Sequence, residues 1–253
     1  SSGVKVPIRV IPLGIDEEMI KDSDSSYKLS TKKNYKFLNI SSAKKRKGLD
    51  ILIRAYFEEF SIDDDVTLII KTFPNPDNNL NEIIQSIQKP DSPEIILIED
   101  PSLKEDELAS LHRQVDCEVY PTRAEGFGLP ILEAMYFEKP VIVTGYSGQM
   151  DFCNDDNSFL LDYTIEYSKE SEFVNTGAKW AEPDKDHLKI LMREMYENSD
   201  QKTIAKKIKN AKDSSKEFTW EKAAKTTFEF IKDIEGLRDF KNTTLAIISP
   251  IND

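Results

Sequence analysis

Two short stretches of this chain collect residue types that can handle a phosphorylated ligand. The first is Ser41-Ser42-Ala43-Lys44-Lys45-Arg46-Lys47-Gly48. Three lysines and an arginine beside a glycine, where a helix begins, suit an anionic phosphate. Taken alone, such a run reads equally as a solvated basic patch or a localisation signal. Its position between a strand and a helix, in an acidic chain, favours the phosphate. The second stretch runs from Tyr120 to Met135, YPTRAEGFGLPILEAM. Gly126 and Gly128 let the backbone approach a ligand closely or take a positive φ. Pro130 suits a first helical turn, where its missing N–H costs nothing. The amides around Gly128 and Leu129 then point at a ligand from a helix N-terminus and favour negative charge. Glu125 in the loop and Glu133 in the helix lie eight positions apart and can face one pocket, where carboxylates accept from sugar and ribose hydroxyls. A bare pair at that spacing would be a dipole partner and a surface residue; the whole string argues for more.

These loops need elements to position them, and the sequence supplies an alternating order. Tyr35 to Ile40, Val66 to Ile70, Ile95 to Ile98, Cys117 to Tyr120 and Val141 to Thr144 read as short apolar strands. Between them, Gly48 to Phe60 has helical spacing, with Leu49, Leu52, Ile53, Tyr56, Phe57 and Phe60 on one side. Leu80 to Ile87, Lys104 to Arg113 (after Ser102 as N-cap) and Pro130 to Glu138 are further helices. Strands alternating with helices predict an α/β fold with a doubly wound, Rossmann-like parallel sheet over residues 30–165. Ligands of such sheets sit outside the carboxyl ends of the strands. Residues 1–29 read as a linker and entry strand, with Val6 to Asp16 as strand and turn. Tyr163 to Pro183 reads as polar and irregular, followed by C-terminal helices near 184–198, 201–216 and 219–235 that fill out residues 166–238. The tail, 239–253, carries an apolar strand at Thr244 to Pro250.

Composition narrows the classes. A chain of 253 residues with 39% hydrophobic content has ample material for a core. The net charge of −12 argues against nucleic acid and anionic lipid as partners; a nucleic-acid binder using the KKRK run would bind with steep salt dependence. Cys117 and Cys153 lie far apart without metal spacing, which fits a reducing cytoplasm. His112 and His187 read as helix-surface residues. Asp63-Asp64-Asp65 sits before a strand and reads as a turn rather than a metal ligand set, and no apolar run is long enough to span a bilayer.

EGFGLPILEAM closely resembles the paired-glutamate signature of retaining glycosyltransferase family 4, whose enzymes have the two-Rossmann GT-B fold. FLNISSAKKRKGLDILIRAYFEEF resembles the first strand, phosphate loop and helix of the family's donor domain. DELASLHRQVDCEVYPT, KPVIVTGYSGQMDF and VIPLGID resemble its flanking segments. The resemblance implies the C-terminal, nucleotide-sugar-binding half of a GT-B enzyme. It implies that Glu133 accepts from ribose hydroxyls and Glu125 from the donor sugar. It further implies that the backbone of Gly126, Phe127, Gly128 and Leu129 contacts the sugar and distal phosphate, and that Lys47 binds the diphosphate. Where the family places an arginine, this chain has Ser42, so Arg46 is the candidate for the lost charge. Glu125, Lys47 and Arg46 are thus the expected catalytic residues and Glu133, Gly126–Leu129 and Ser42 the donor-binding ones. No metal or cofactor is expected, and the donor is GDP-mannose or a UDP-sugar. The acceptor, a glycan or lipid-linked, would bind an N-terminal domain that this chain lacks. Membrane attachment would come only through such other domains. The alternative is a non-catalytic nucleotide-sugar-binding module. The form of the tail resembles the opening strand of another GT-B amino-terminal domain, which implies a second glycosyltransferase beyond residue 253.

Overall fold

Six strands form one parallel sheet in the order β3-β2-β1-β4-β5-β6. The computed structural model describes residues 7–15, 27–76, 78–168 and 177–235. In chain order these give β1 (Tyr35–Ile40), a 3₁₀ turn (Lys45–Lys47), α1 (Leu49–Glu59), β2 (Val66–Lys71), α2 (Leu80–Ile87), β3 (Glu94–Ile98), α3 (Glu105–Gln114) and β4 (Cys117–Tyr120). Then follow α4 (Leu129–Tyr136), β5 (Val141–Thr144), a 3₁₀ turn (Gly148–Asp151), β6 (Phe159–Leu161), β7 (Tyr163–Tyr167), β8 (Lys179–Pro183), α5 (Lys185–Glu197), α6 (Gln201–Ser215) and α7 (Trp220–Glu235). The five predicted strands and the helices between them are all present, and the doubly wound, Rossmann-like class is the observed one.

Alternation along the strands divides the core. Phe37, Leu68 and Ile70 point to the face covered by α1 and α5, where Leu52, Ile53, Tyr56, Leu188 and Met192 pack. Their neighbours Leu38 and Ile69 point the other way, against Leu111 and Val115 of the α3 region. All six residues of β2 are buried, as a parallel strand covered on both faces requires. A further cluster joins α4 to β5 through Ile131, Leu132, Met135, Val141 and Val143. Asp63 to Asp65 form the turn before β2, with Asp64 accepting from the Ser61 amide at 2.9 Å.

Four expectations are corrected. Tyr163 to Pro183 is not irregular throughout: Tyr163–Tyr167 pairs antiparallel with Lys179–Pro183. Trp180 and Ala181 are buried there, and Arg123 O accepts from the Ala181 amide at 3.0 Å. The sheet gains β6, which pairs with β5; three residues were too few to stand out as a strand. Residues 7–14 form no strand, and Ile15 makes only a single parallel bridge to Thr219. Ser102 does not cap α3: it bonds Asp100, and the helix starts after Lys104, whose amide donates to Glu107 Oε2 at 3.0 Å. The C-terminal helices fall where expected, with Asp184 and Asp200 as N-caps. The tail at 239–253 lies outside the described residues, as do residues 1–6 and 16–26.

Leu52 has no exposed surface and stands at the centre of the largest core cluster. Leu52→Ala should cost about 2–5 kcal/mol through lost transfer energy and the cavity left behind. Denaturant unfolding would show this as a lower midpoint with an unchanged slope.

Candidate functional site

β1 hydrogen-bonds β2 on one side and β4 on the other, and the crossovers leave it in opposite directions. This is the switch point of a doubly wound sheet, where a crevice opens beyond the carboxyl ends. The β1–β4 register ends with Leu38 opposite Glu118. Beyond them Asn39 Nδ2 donates to Val119 O at 2.6 Å, and Ser41 Oγ donates to Asn39 Oδ1 at 2.6 Å, so side chains hold the strands where the ladder ends. The loops leaving β1 and β4 are the two singled out by their residue types.

They are in direct contact. Gly48 has φ 70°, closes the 3₁₀ turn and begins α1. A Cβ on it would stand 1.8 Å from Pro121 O, so only glycine lets the first loop lie this close to the second. Arg123 completes the joint. Its amide donates to Arg46 O at 2.7 Å, and its guanidinium donates to Lys45 O (2.6 Å), to both Asp50 oxygens (2.8 and 2.9 Å) and to both Glu182 oxygens (2.8 and 2.7 Å). Burial works against the Arg123 charge, but Glu182 and Asp50 outweigh it and hold the group protonated.

In consequence three of the expected site residues meet. Lys47 Nζ lies 2.8 and 2.9 Å from the Glu125 carboxylate oxygens, and Arg46 Nη1 lies 3.2 Å from Oε2. Glu125 is fixed from behind by the loop after β5: Ser147 Oγ accepts from its amide at 2.8 Å and donates to its carbonyl at 2.6 Å, and the Gly148 amide donates to the same carbonyl at 3.1 Å. Ser147 holds φ 82° to do so, a conformation L-residues seldom adopt without a local reason. α4 begins at Gly128, φ 95°, so its positive end opens at this loop. Gly126 is not among the positive-φ glycines; its carbonyl instead faces Gly148, where a Cβ would come within 2.2 Å.

The remaining residues divide. The Phe127 ring turns inward against Phe152 and Phe218, which leaves only its backbone for a ligand. Leu129 packs partly buried on the α4 cluster. Ser42 is buried, and its hydroxyl has no hydrogen-bond partner among the described residues. Thr72 Oγ1, Thr144 Oγ1 and Gln149 Oε1 share that condition. All four belong to residues at or just beyond the carboxyl ends of strands, whereas buried polar groups are ordinarily satisfied. Glu133 sits apart from the Glu125 cluster, with Oε2 at 3.7 Å from His112 Nε2.

His112 is a further correction. It is not a surface residue but has no exposed area, and its Nδ1 lies 2.6 Å from Glu118 Oε1. Burial would push the imidazolium down, yet Glu118 and then Glu133 overcome it and lift its pKa to about 9. His187 is as expected, half-buried on α5 beside Asp162. Arg123, Ser147, His112 and Glu118 are the site residues that sequence reasoning missed. A charged residue at position 118, inside a four-residue strand, was the available signal for the last two.

A groove of about 1000 Å³ lined by Arg54, Phe57, Glu58, Lys89 and Arg193 lies at the opposite, amino-terminal end of the strands. Its Arg193 is already paired with Glu59 and Asp64, and it contains none of the residues above. Among the described residues no group of three or more His, Cys, Asp or Glu could hold a metal ion, and no helix is long and apolar enough to cross a membrane.

Comparison with known proteins agrees with this picture. The family model for glycosyl transferases group 1 matches residues 21–213. An uncharacterised glycosyltransferase of Methanocaldococcus jannaschii is 32% identical over 179 residues, covering 70% of this chain and 42% of that protein. The capsular polysaccharide biosynthesis glycosyltransferase CapM of Staphylococcus aureus is 24% identical over 196 residues, covering 76% of this chain and 45% of that one. The chain therefore spans less than half the length of either. Among solved structures, Anabaena HepE in complex with UDP superposes with a TM-score of 0.62 at 18% identity, covering 89% of this chain and 57% of that chain.

The raised pKa of His112 has a consequence for stability. Both folded and unfolded states are protonated below about 6.5, the ordinary histidine value. The contribution is then fully present below about 6.5, and is lost as pH rises toward about 9, where the folded state titrates. Urea unfolding of the chain at pH 6.5 and 9.5 should show a larger loss than the same pair of measurements on His112→Gln.

Proposed function

The chain belongs to the group 1 glycosyl transferases, and we propose that it is the donor-binding half of a retaining, GT-B enzyme of glycosyltransferase family 4. The observation that carries this reading is the convergence of Lys47 and Arg46 on Glu125 at the switch point, beside the N-terminus of α4. A nucleoside diphosphate sugar needs cations for its diphosphate and acceptors for its hydroxyls, and this cluster supplies both.

On this reading Lys47 and Arg46 take the diphosphate, together with the amides from Gly126 to Leu129, and the buried Ser42 hydroxyl stands where the family has an arginine. Glu133 accepts from the ribose and Glu125 from the sugar. Glu125 and the phosphates compete for the same two cations. Donor binding therefore transfers Lys47 and Arg46 from carboxylate to diphosphate and turns Glu125 toward the sugar hydroxyls. As the glycosidic bond to the diphosphate breaks, the developing negative charge is stabilised by these cations and the α4 dipole, and the acceptor attacks from the same face. We assign the leaving-group charge to these groups without a metal. The UDP bound by HepE supports a uridine diphosphate sugar, with GDP-mannose the other candidate. The role of CapM in capsular polysaccharide synthesis supports a glycan or lipid-linked acceptor. That acceptor would occupy a second domain, consistent with relatives of which this chain covers less than half.

Ser42 favours a second reading, a module that binds the nucleotide sugar without transferring it, because one phosphate-facing charge is missing from its usual place. Donor hydrolysis by the full-length protein would separate the two; its absence, with donor binding retained, supports the module.

UDP or GDP should raise the melting temperature of the 253-residue chain through linkage. Glu133→Ala should weaken nucleotide binding by about 1–3 kcal/mol, the scale of a charge-assisted hydrogen bond. Unchanged calorimetric affinity in that variant would end the ribose assignment. Sugar transfer by this chain alone should be undetectable, since closure of two domains aligns the acceptor and excludes water; robust transfer would overturn the half-enzyme reading.

A further inference from the structure

The side of Glu133 turned toward β4 meets a buried polar relay rather than apolar packing. Tyr120, the last residue of β4, donates its hydroxyl to Glu118 Oε2 at 2.6 Å. The other oxygen of Glu118 holds His112 Nδ1 at 2.6 Å, and His112 Nε2 faces Glu133 Oε2 at 3.7 Å. The imidazole is stacked on Phe137, with centroids 5.1 Å apart and planes at 11°, so its rotation is blocked. Nε2 has no hydrogen-bond partner among the described residues. At 3.7 Å its contact with Glu133 is a charge contact, too long for a hydrogen bond. A ring flanked by two carboxylates and removed from water is tolerable when it carries the proton that both demand. Glu133 has 19% of its side chain exposed, so it is not sealed inside this relay.

We propose that His112 is a positioning residue for the nucleotide site: clamped by Glu118 and Phe137, it holds Glu133 by Oε2 and leaves Oε1 aimed at the vicinal hydroxyls of a ribose. This rests on the ribose reading of Glu133 given above. The physical gain is preorganisation. A glutamate on a helix surface must give up rotamer freedom to accept from two adjacent hydroxyls, and a carboxylate already tied by one oxygen has surrendered it. A purely structural His112–Glu118 pair would lower affinity for every nucleotide alike. A positioning role acts only on ligands that carry ribose hydroxyls.

That difference sets the experiment. UDP and 2′,3′-dideoxy-UDP are titrated calorimetrically into the 253-residue chain and into Glu133→Ala, His112→Phe and the double variant His112→Phe with Glu118→Leu; the guanosine pair replaces them if GDP binds more tightly. The double variant removes the buried ion pair as a unit, a change that cores often accept, so it covers the case in which His112→Phe fails to fold. The unaltered chain should prefer UDP over the dideoxy form by roughly tenfold or more. Glu133→Ala should bring that ratio close to one. Both His112 variants should lower it by about threefold or more while binding the dideoxy analogue as before, since the lost contact is the hydroxyl one. If the His112 variants keep the full ratio while Glu133→Ala loses it, the positioning role is overturned and the ribose site stands. If Glu133→Ala itself keeps the ratio, or the unaltered chain binds neither nucleotide, the ribose reading fails and the proposal with it.

Discussion

The Arg123 guanidinium is buried with its nitrogens bonded to a carbonyl of the first loop, a carboxylate of α1 and a carboxylate of β8. A charge in that position is stable only because each N–H meets an acceptor. Its main chain meanwhile belongs to the second loop and donates to Arg46 O. One side chain therefore ties three structural units to the segment that precedes Glu125. The register of Lys47 and Arg46 against Glu125 follows from this knot, because the basic loop has little regular structure of its own beyond one 3₁₀ turn. The Trp180 ring, 5.4 Å from the guanidinium carbon, closes the knot on the hairpin side.

The site is built on charge held in reserve. Lys47 and Arg46 are largely withdrawn from water, as is Glu125, and a cation desolvated next to a carboxylate keeps its charge while its field stays partly cancelled. On the proposed reading, an incoming diphosphate would not have to strip a hydrated ammonium and a hydrated guanidinium; it would replace one anionic partner by another. The cost would then move to Glu125, which would need hydroxyl donors once the cations had turned away. Electrostatics of this kind would link phosphate and sugar recognition more tightly than two separate subsites could.

How much of this was legible in the sequence depended on the range of the interaction. Local patterns gave β1, β2 and α1, because Phe37, Leu52 and Leu68 occupy positions whose periodicity is set by the element itself. Gly128 and Pro130 announced the start of α4 through backbone chemistry confined to a few residues. The hairpin of β7 and β8 was hidden because Tyr163, Ile165 and Tyr167 are exposed and give no buried stripe to detect. His112 was misjudged for a different reason. Its helix has a polar composition that suggests a solvated face, and only the sheet pairing brings Glu118 of β4 beneath it. Arg123 looked like one more polar loop residue; its partners Asp50 and Glu182 lie 73 and 59 positions away, beyond any local pattern. Long-range charge pairing is the part of the fold that a single sequence conceals.

The near-contact at Gly48 sets a limit on how such a domain can diversify. With Pro121 O only 1.8 Å from where a Cβ would sit, the seam between the two loops has no slack: one added carbon cannot fit unless the backbone of one loop shifts. Side chains at this seam are therefore not a place where the domain can vary. Its flanks are less committed: after β2 and β5, Thr72 Oγ1 and Gln149 Oε1 are buried without hydrogen-bond partners among the described residues. A fixed seam with adjustable margins would let one scaffold hold its basic loop in place while the chemistry at its edges varied.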